Sequence, residues 1–168
     1  MSGQVLILGA ASGIARAVAV EAARSGHSLI LAARKPEPLE ALARDLEIRF
    51  GVKAATRAFD ALDFAGHAAF VRGLLEEFGD LEGALLAFGA MGVEEQSWAS
   101  WEASRLVIDS NFTGAVSILL PLAEHFERRG KGFLAVISSV AGDRGRKKNM
   151  TYGAAKAEIG RASCRERV

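Results

Sequence analysis

Short apolar runs alternate along this chain with longer stretches in which apolar residues recur at helical spacing. Val5-Leu-Ile-Leu8, Ser28-Leu-Ile-Leu-Ala32, Lys53 to Ala58, Ala84-Leu-Leu-Ala-Phe88 and Phe133-Leu-Ala-Val-Ile137 have strand length. Val5–Leu8 is the continuous apolar run expected of a parallel strand buried on both faces, whereas Lys53 to Ala58 is more polar. Between them, Ile14 to Ser25 reads as an Ala-rich helix, and Pro36 to Phe50 as a helix with Leu39, Leu42 and Leu46 on one face. Phe64 to Phe78 carries Phe70, Leu74 and Phe78 at helical spacing, and Trp98 to Ile108 is also predicted helical. Five strands alternating with helices predict an α/β fold of the Rossmann type, a doubly wound parallel sheet. A ligand would lie across the carboxyl ends of the strands, where the strand order reverses.

Composition narrows the classes of function. With 168 residues, half of them hydrophobic and 24% charged, the chain is one domain with an ordinary globular balance. A net charge of +1 offers no electrostatic footprint for nucleic acid or an anionic membrane. Residues 1–8 lack a basic signal-like region, and the apolar stretch Gly83 to Val93 is too short to span a bilayer. One Cys and three scattered His provide neither an internal disulfide nor metal-ligand spacing, so the chain is expected to be cytoplasmic and metal-free.

Two stretches carry candidate chemistry. Gly9-Ala-Ala-Ser12-Gly13-Ile14 follows a strand and opens a helix. Glycines there let the backbone approach a pyrophosphate, and the helix N-terminus supplies free N–H groups. At the end of the second strand no carboxylate is present to bind ribose hydroxyls. Arg34 stands there instead, either to pair with a 2′-phosphate, which favours NADP(H) over NAD(H), or to stack on adenine or lie in solvent. The second stretch is Ser138 to Lys156. Tyr152 and Lys156 are four residues apart and share one helix face. An ammonium beside a phenol favours the phenolate and brings its pKa toward the working range. Ser139, at the end of an apolar run, can hold a substrate oxygen opposite Tyr152.

Taken together, these motifs, in this order and spacing from Gln4 to Ala157, resemble the short-chain dehydrogenase/reductase family in its classical form. The resemblance implies an NAD(P)-dependent enzyme moving a hydride between nicotinamide and a carbonyl or secondary alcohol. Asn111, Ser139, Tyr152 and Lys156 match its catalytic positions, with Asn111 supporting a proton relay. Gly9, Ser12, Gly13, Ile14, Arg34, Asp60, Ala61, Gly89, Ala90, Tyr152 and Lys156 match its cofactor contacts, Asp60 by bonding the adenine amino group. Alternatively, Asp60 is a surface residue, although Asp63 suits helix capping better. This chain departs from the usual pattern at Ala15, at Ser12 and at Ala87-Phe-Gly89-Ala90, where Asn-Asn-Ala-Gly is common. Phe59-Asp-Ala-Leu-Asp63, Asn111 to Ser117 and Ser138 to Arg144 look like the decaprenylphosphoryl-2-keto-ribose reductase branch, which reduces a keto sugar on a polyprenyl phosphate. The basic loop Arg144, Arg146, Lys147, Lys148 suits such an anionic substrate, or is simply solvated. Family members commonly form dimers or tetramers, so a homo-oligomer is expected. A noncatalytic nucleotide sensor and a nucleotide-sugar epimerase are the other readings. The Asn/Ser/Tyr/Lys set opposes the first, and the three-residue spacing between Gly9 and Gly13 opposes the second.

Ile159-Gly-Arg-Ala-Ser-Cys-Arg-Glu-Arg-Val168 does not continue the family pattern and resembles the translation of a sequencing adapter. On that reading residues 1–157 are the native domain and 158–168 a non-native tail; a divergent natural tail is the alternative. The sheet would then be incomplete at its C-terminal side, and the chain as written is expected to fold poorly and to be inactive.

Overall fold

The computed structural model describes residues 3–92, 100–145 and 149–163. Five strands, β1 (Gln4–Leu8), β2 (Ser28–Ala33), β3 (Ala54–Ala58), β4 (Leu81–Leu86) and β5 (Phe133–Val136), form one parallel sheet in the order β3-β2-β1-β4-β5. Val5 pairs with Leu29 on one side and Gly83 on the other, so β1 is central. The chain winds outward through β2 and β3, returns past β1, and winds the other way through β4 and β5. The reversal leaves a crevice above the carboxyl ends of β1 and β4.

Alternation along the strands builds two cores. Val5, Ile7, Leu29 and Leu31 face α1 (Gly13–Arg24) and α2 (Glu40–Phe50), meeting Ala15, Ala19 and Leu46. Leu6, Leu8, Ile30 and Ala32 point the opposite way, toward Val71 and Leu74 of α3 (His67–Phe78) and Ile118 and Leu122 of α5 (Gly114–Arg129). Small alanines let α1 lie close to the sheet, which brings its N-terminus over the end of β1. α4 (Trp101–Ile108) precedes α5, α6 (Val140–Asp143) follows β5, and α7 (Met150–Ser163) carries Tyr152 and Lys156.

Several element boundaries differ from those expected. β4 begins at Leu81, so Ala87 and Phe88 lie past its regular end. α3 begins at His67 because Asp63 closes a turn first, its Oδ1 accepting from the Gly66 N–H at 3.2 Å. The expected start at Trp98 lies outside the described residues, and α4 opens at Trp101 behind Ser100, whose hydroxyl accepts from Ala103 N. Between α4 and α5 the helix widens into a π-helical stretch, Asp109–Thr113. Trp101–Arg129 is thereby one helical run of 29 residues, apolar enough by length and composition to cross a membrane. Ile118 and Leu122 are nevertheless fully buried against the sheet, as in a core helix. α7 shows no break at Ala157: it continues to Ser163, and Ile159 is fully buried in the α3–α5 core.

Candidate functional site

Two adjoining cavities, of about 790 and 350 Å³, open at the switch point and share Ser12, Ala87, Phe88 and Gly89 as walls. The larger runs from the β1–α1 turn across the ends of β2 and β3. Gly9 takes φ +83°, and a Cβ there would lie 2.6 Å from Phe88 N, so only glycine lets the turn pass under the end of β4. Gly9 N and Ala10 N both donate to Ala32 O, fastening the turn to β2. Ser12 caps α1, its hydroxyl accepting from Ala15 N at 3.1 Å. A Cβ on Gly13 would meet nothing within 4 Å, so the glycine keeps the space above the helix N-terminus open. The first-turn N–H groups of a helix have no intrahelical partner, and here that of Ala15 is taken up by Ser12.

Further along the larger cavity lie Arg34, Asp60 and Ala61, with Gly89 and Ala90 at its inner wall. Arg34 is exposed, and Lys35 lines the cavity beside it, a second cation that sequence reasoning missed although the Arg-Lys pair directly follows β2. The Asp60 carboxylate is partly committed, accepting from Leu62 N at 3.0 Å.

The smaller cavity brings together Ile14, Ser139, Tyr152 and Lys156, residues from three separate segments. Ser139 lies three residues past β5 and caps α6, its hydroxyl accepting from Ala141 N at 3.2 Å. Glycines let α6 and α7 touch: a Cβ on Gly142 would lie 2.8 Å from Ala157 N, and one on Gly153 2.7 Å from Ala141 O. That contact holds the Ser139 turn against the helix carrying Tyr152. Lys156 is 4% exposed; its ammonium donates to Ile137 O at 2.9 Å and lies 5.9 Å from the centre of the Tyr152 ring. Burial pushes the Lys156 pKa below its ordinary value, because a desolvated ammonium is disfavoured. Ser138, which sequence reasoning passed over, donates from its hydroxyl to Lys156 O at 2.8 Å and ties α7 to the end of β5.

Asn111 lines neither cavity but stands behind both, 1% exposed, inside the π-helical stretch. Its amide donates to Ala90 O at 2.6 Å and to Val107 O at 2.8 Å. Its Oδ1 is buried without a hydrogen-bond partner among the described residues. A Cβ on Gly89 would collide with that oxygen and approach Lys156 Nζ to 3.3 Å, so glycine leaves room for both groups. Thus Asn111, Gly89, Ala90 and Lys156 form one cluster. Gly13 borders neither cavity directly.

The family model described as short chain dehydrogenase matches residues 4–161. An uncharacterized oxidoreductase of Mycobacterium tuberculosis is 38% identical over 157 residues, 92% of this chain and 62% of its own length. One from Streptomyces coelicolor is 35% identical over 156 residues, 92% of this chain and 61% of its own. The chain therefore spans about three fifths of the length of these curated relatives. Among solved structures, levodione reductase superposes with a TM-score of 0.85 at 29% identity, covering 93% of this chain and 61% of that one. An alcohol dehydrogenase from Thermococcus sibiricus, complexed with 5-hydroxy-NADP, superposes with a TM-score of 0.84 at 26% identity, covering 96% and 70%.

Proposed function

The chain belongs to the short-chain dehydrogenase family, and from that premise we propose that it is the cofactor-binding and proton-transferring part of an NADP(H)-preferring carbonyl reductase or alcohol dehydrogenase. One observation carries the reading: Ser139, Tyr152 and Lys156 converge on a cavity that continues into the one bordered by Gly9, Ser12 and Arg34. A dinucleotide needs this pairing of a phosphate-binding turn at one place with acid–base side chains at another. The residues present fit such a group. A Cβ on Gly13 would meet nothing within 4 Å, Ala87 and Gly89 are small residues at the shared wall, and Asn111 Oδ1 is a buried acceptor without a hydrogen-bond partner among the described residues.

A nicotinamide bound there would supply or accept the hydride at the substrate carbon. Tyr152 gives its phenolic proton to the carbonyl oxygen in reduction and takes it back in oxidation. Ser139 holds that oxygen by a hydrogen bond. Lys156 places a positive charge beside the Tyr152 ring, which favours the phenolate left after proton donation. Asn111 braces the Ala90 carbonyl and the widened helix, and its Oδ1, without a partner among the described residues, is assigned to the proton relay. Gly9, Ser12, Gly13 and Ile14 are assigned to the phosphates, Asp60 and Ala61 to adenine, and Arg34 to a 2′-phosphate. For the substrate, the sequence resemblance favours a keto sugar on an anionic carrier. Arg144 is exposed beyond α6, while Arg146, Lys147 and Lys148 lie outside the described residues. A homo-oligomer is supported by exposed Trp101, Leu106 and Leu120 on α4 and α5.

The test is to titrate the protein at the full length of its relatives, about three fifths of which this chain spans, with NADPH and NADH by calorimetry, then incubate it with 4-deuterated NADPH and a panel of ketones and keto sugars. Deuterium in an alcohol product is expected. Binding without transfer would make the protein a nucleotide sensor, and isomerised sugar with unchanged cofactor would make it an epimerase. No binding of either dinucleotide would end the proposal.

A further inference from the structure

His67 belongs to none of the motifs above, yet it is among the most buried polar side chains in the molecule, 2% exposed at the first turn of α3. Its ring stacks on Phe59, with centroids 5.2 Å apart and planes at 22°, and Phe64 packs against it edge-on. Both ring nitrogens are engaged. Nε2 lies 3.0 Å from Asp60 O, and Nδ1 lies 2.9 Å from the Ser117 hydroxyl on α5. A carbonyl oxygen only accepts, so Nε2 donates to Asp60 O, while the Ser117 hydroxyl lies within reach of both Nδ1 and Phe64 O.

The groups that His67 holds are walls of the larger cavity. Phe59, Asp60, Ala61 and Leu62 line it in succession. The Asp60–Leu62 turn is pinned locally, by Leu62 N donating to Asp60 Oδ1 and Asp63 N donating to Asp60 O at 3.1 Å. Those bonds shape the turn but do not place it against the rest of the fold. Hydrogen bonds link this region to α5 through Ser117, whose hydroxyl meets His67 Nδ1 at 2.9 Å and Phe64 O at 3.4 Å. Steric contact adds to it one turn earlier on α5, where a Cβ on Gly114 would collide with Ala61 O. Asn111, Gly114 and Ser117 follow one another at three-residue spacing. The same helical run thus braces Ala90 at the inner end of the cleft and the Asp60 turn at its outer end.

We propose that His67 is a positioning residue that sets the adenosine end of the cleft, by holding the Asp60–Ala61 turn at a fixed distance from α5. This rests on the dinucleotide reading above. The clamp governs how tightly the adenosine half is bound, not the reaction at Tyr152.

Calorimetric titration of the full chain with adenosine 2′,5′-bisphosphate and with NADPH tests it. His67→Phe keeps an aromatic ring between Phe59 and Phe64 and deletes both hydrogen bonds. It is expected to raise Kd for both ligands about tenfold, the scale of a lost buried hydrogen bond, with stoichiometry unchanged. His67→Gln, whose amide can donate to Asp60 O, is expected to recover most of that loss. A role in folding alone would lower stoichiometry and leave Kd as in the parent chain. That result, or unchanged binding by His67→Phe, overturns the clamp. If His67→Phe does not fold, Ser117→Ala decides: a smaller rise in Kd supports the clamp, and an unchanged Kd overturns it. If the parent chain binds adenosine 2′,5′-bisphosphate and NADPH, only the clamp is at stake. If it binds neither, the dinucleotide reading falls and the clamp with it.

Discussion

At the outer end of the cleft the walls are backbone turns and exposed side chains, whereas at the inner end they are side chains held in place by burial. Arg34 and Lys35 are exposed, and the nearby Gly9–Gly13 turn is fastened to β2 and passes under β4 where a Cβ on Gly9 would collide. At the other end Asn111 and Lys156 are 1% and 4% exposed, each fixed by hydrogen bonds to backbone carbonyls. On the proposed reading the two ends have different tasks. Gripping a dianionic group needs only many donors and a positive field, which solvent-exposed groups provide while tolerating some motion. Moving a proton needs a charge and a phenol held in fixed relation where water cannot screen them. Accordingly, damage at the outer end should alter affinity and damage at the inner end should alter turnover.

The sharpest separation comes from Tyr152→Phe. It should lower the rate of deuterium transfer by roughly 10²- to 10⁴-fold, the usual contribution of a positioned acid–base group, while calorimetric Kd for NADPH stays unchanged. A comparable loss of binding would show that Tyr152 belongs to the grip, and the contrast between the two ends would collapse. Arg34→Ala probes the opposite end with a smaller effect. Kd for NADPH should rise roughly tenfold, in line with a charge-assisted bond at an exposed site, with Kd for NADH unmoved. Equal changes for both dinucleotides would mean that Arg34 stacks on the base instead of reading the 2′-phosphate.

The smallest effect concerns stability. Burial lowers the Lys156 pKa below its ordinary 10.5, so between the folded and unfolded values the unfolded chain holds more protons. Through that window stability rises with pH, and below it the cost of the buried charge is fully present. Lys156→Met should therefore flatten the alkaline rise seen in urea denaturation measured across pH. An unchanged slope would mean that the ammonium is solvated and that the inner end is not the dry site described here.

Some of this architecture was legible in the residues because its causes are local. The Gly9–Ser12–Gly13 turn announces itself by lying between an apolar run and an Ala-rich helix, and the structure puts it at the switch point. Tyr152 and Lys156 share a helix face by spacing alone. The π-helical widening at Asp109–Thr113 was not legible, since nothing in Asp-Ser-Asn-Phe-Thr distinguishes it from an ordinary helix. Nor was Ser138, whose partner lies 18 residues on, or His67, whose partner Ser117 lies 50 residues on.

Short apolar runs alternating with stretches of helical periodicity, with the Gly-rich turn, determined a parallel α/β sheet and which strand ends would carry ligands, because buried faces and tight turns follow from neighbours in sequence. Which side chains meet was decided only in three dimensions. Gly89 must be glycine because residues 22 and 67 positions further along close on it. Lys156 is buried because α6 and α7 press together at Gly142 and Gly153. Contacts between distant segments depend on how helices settle on a finished sheet, and packing of that kind is a property of the whole fold rather than of any stretch of the chain.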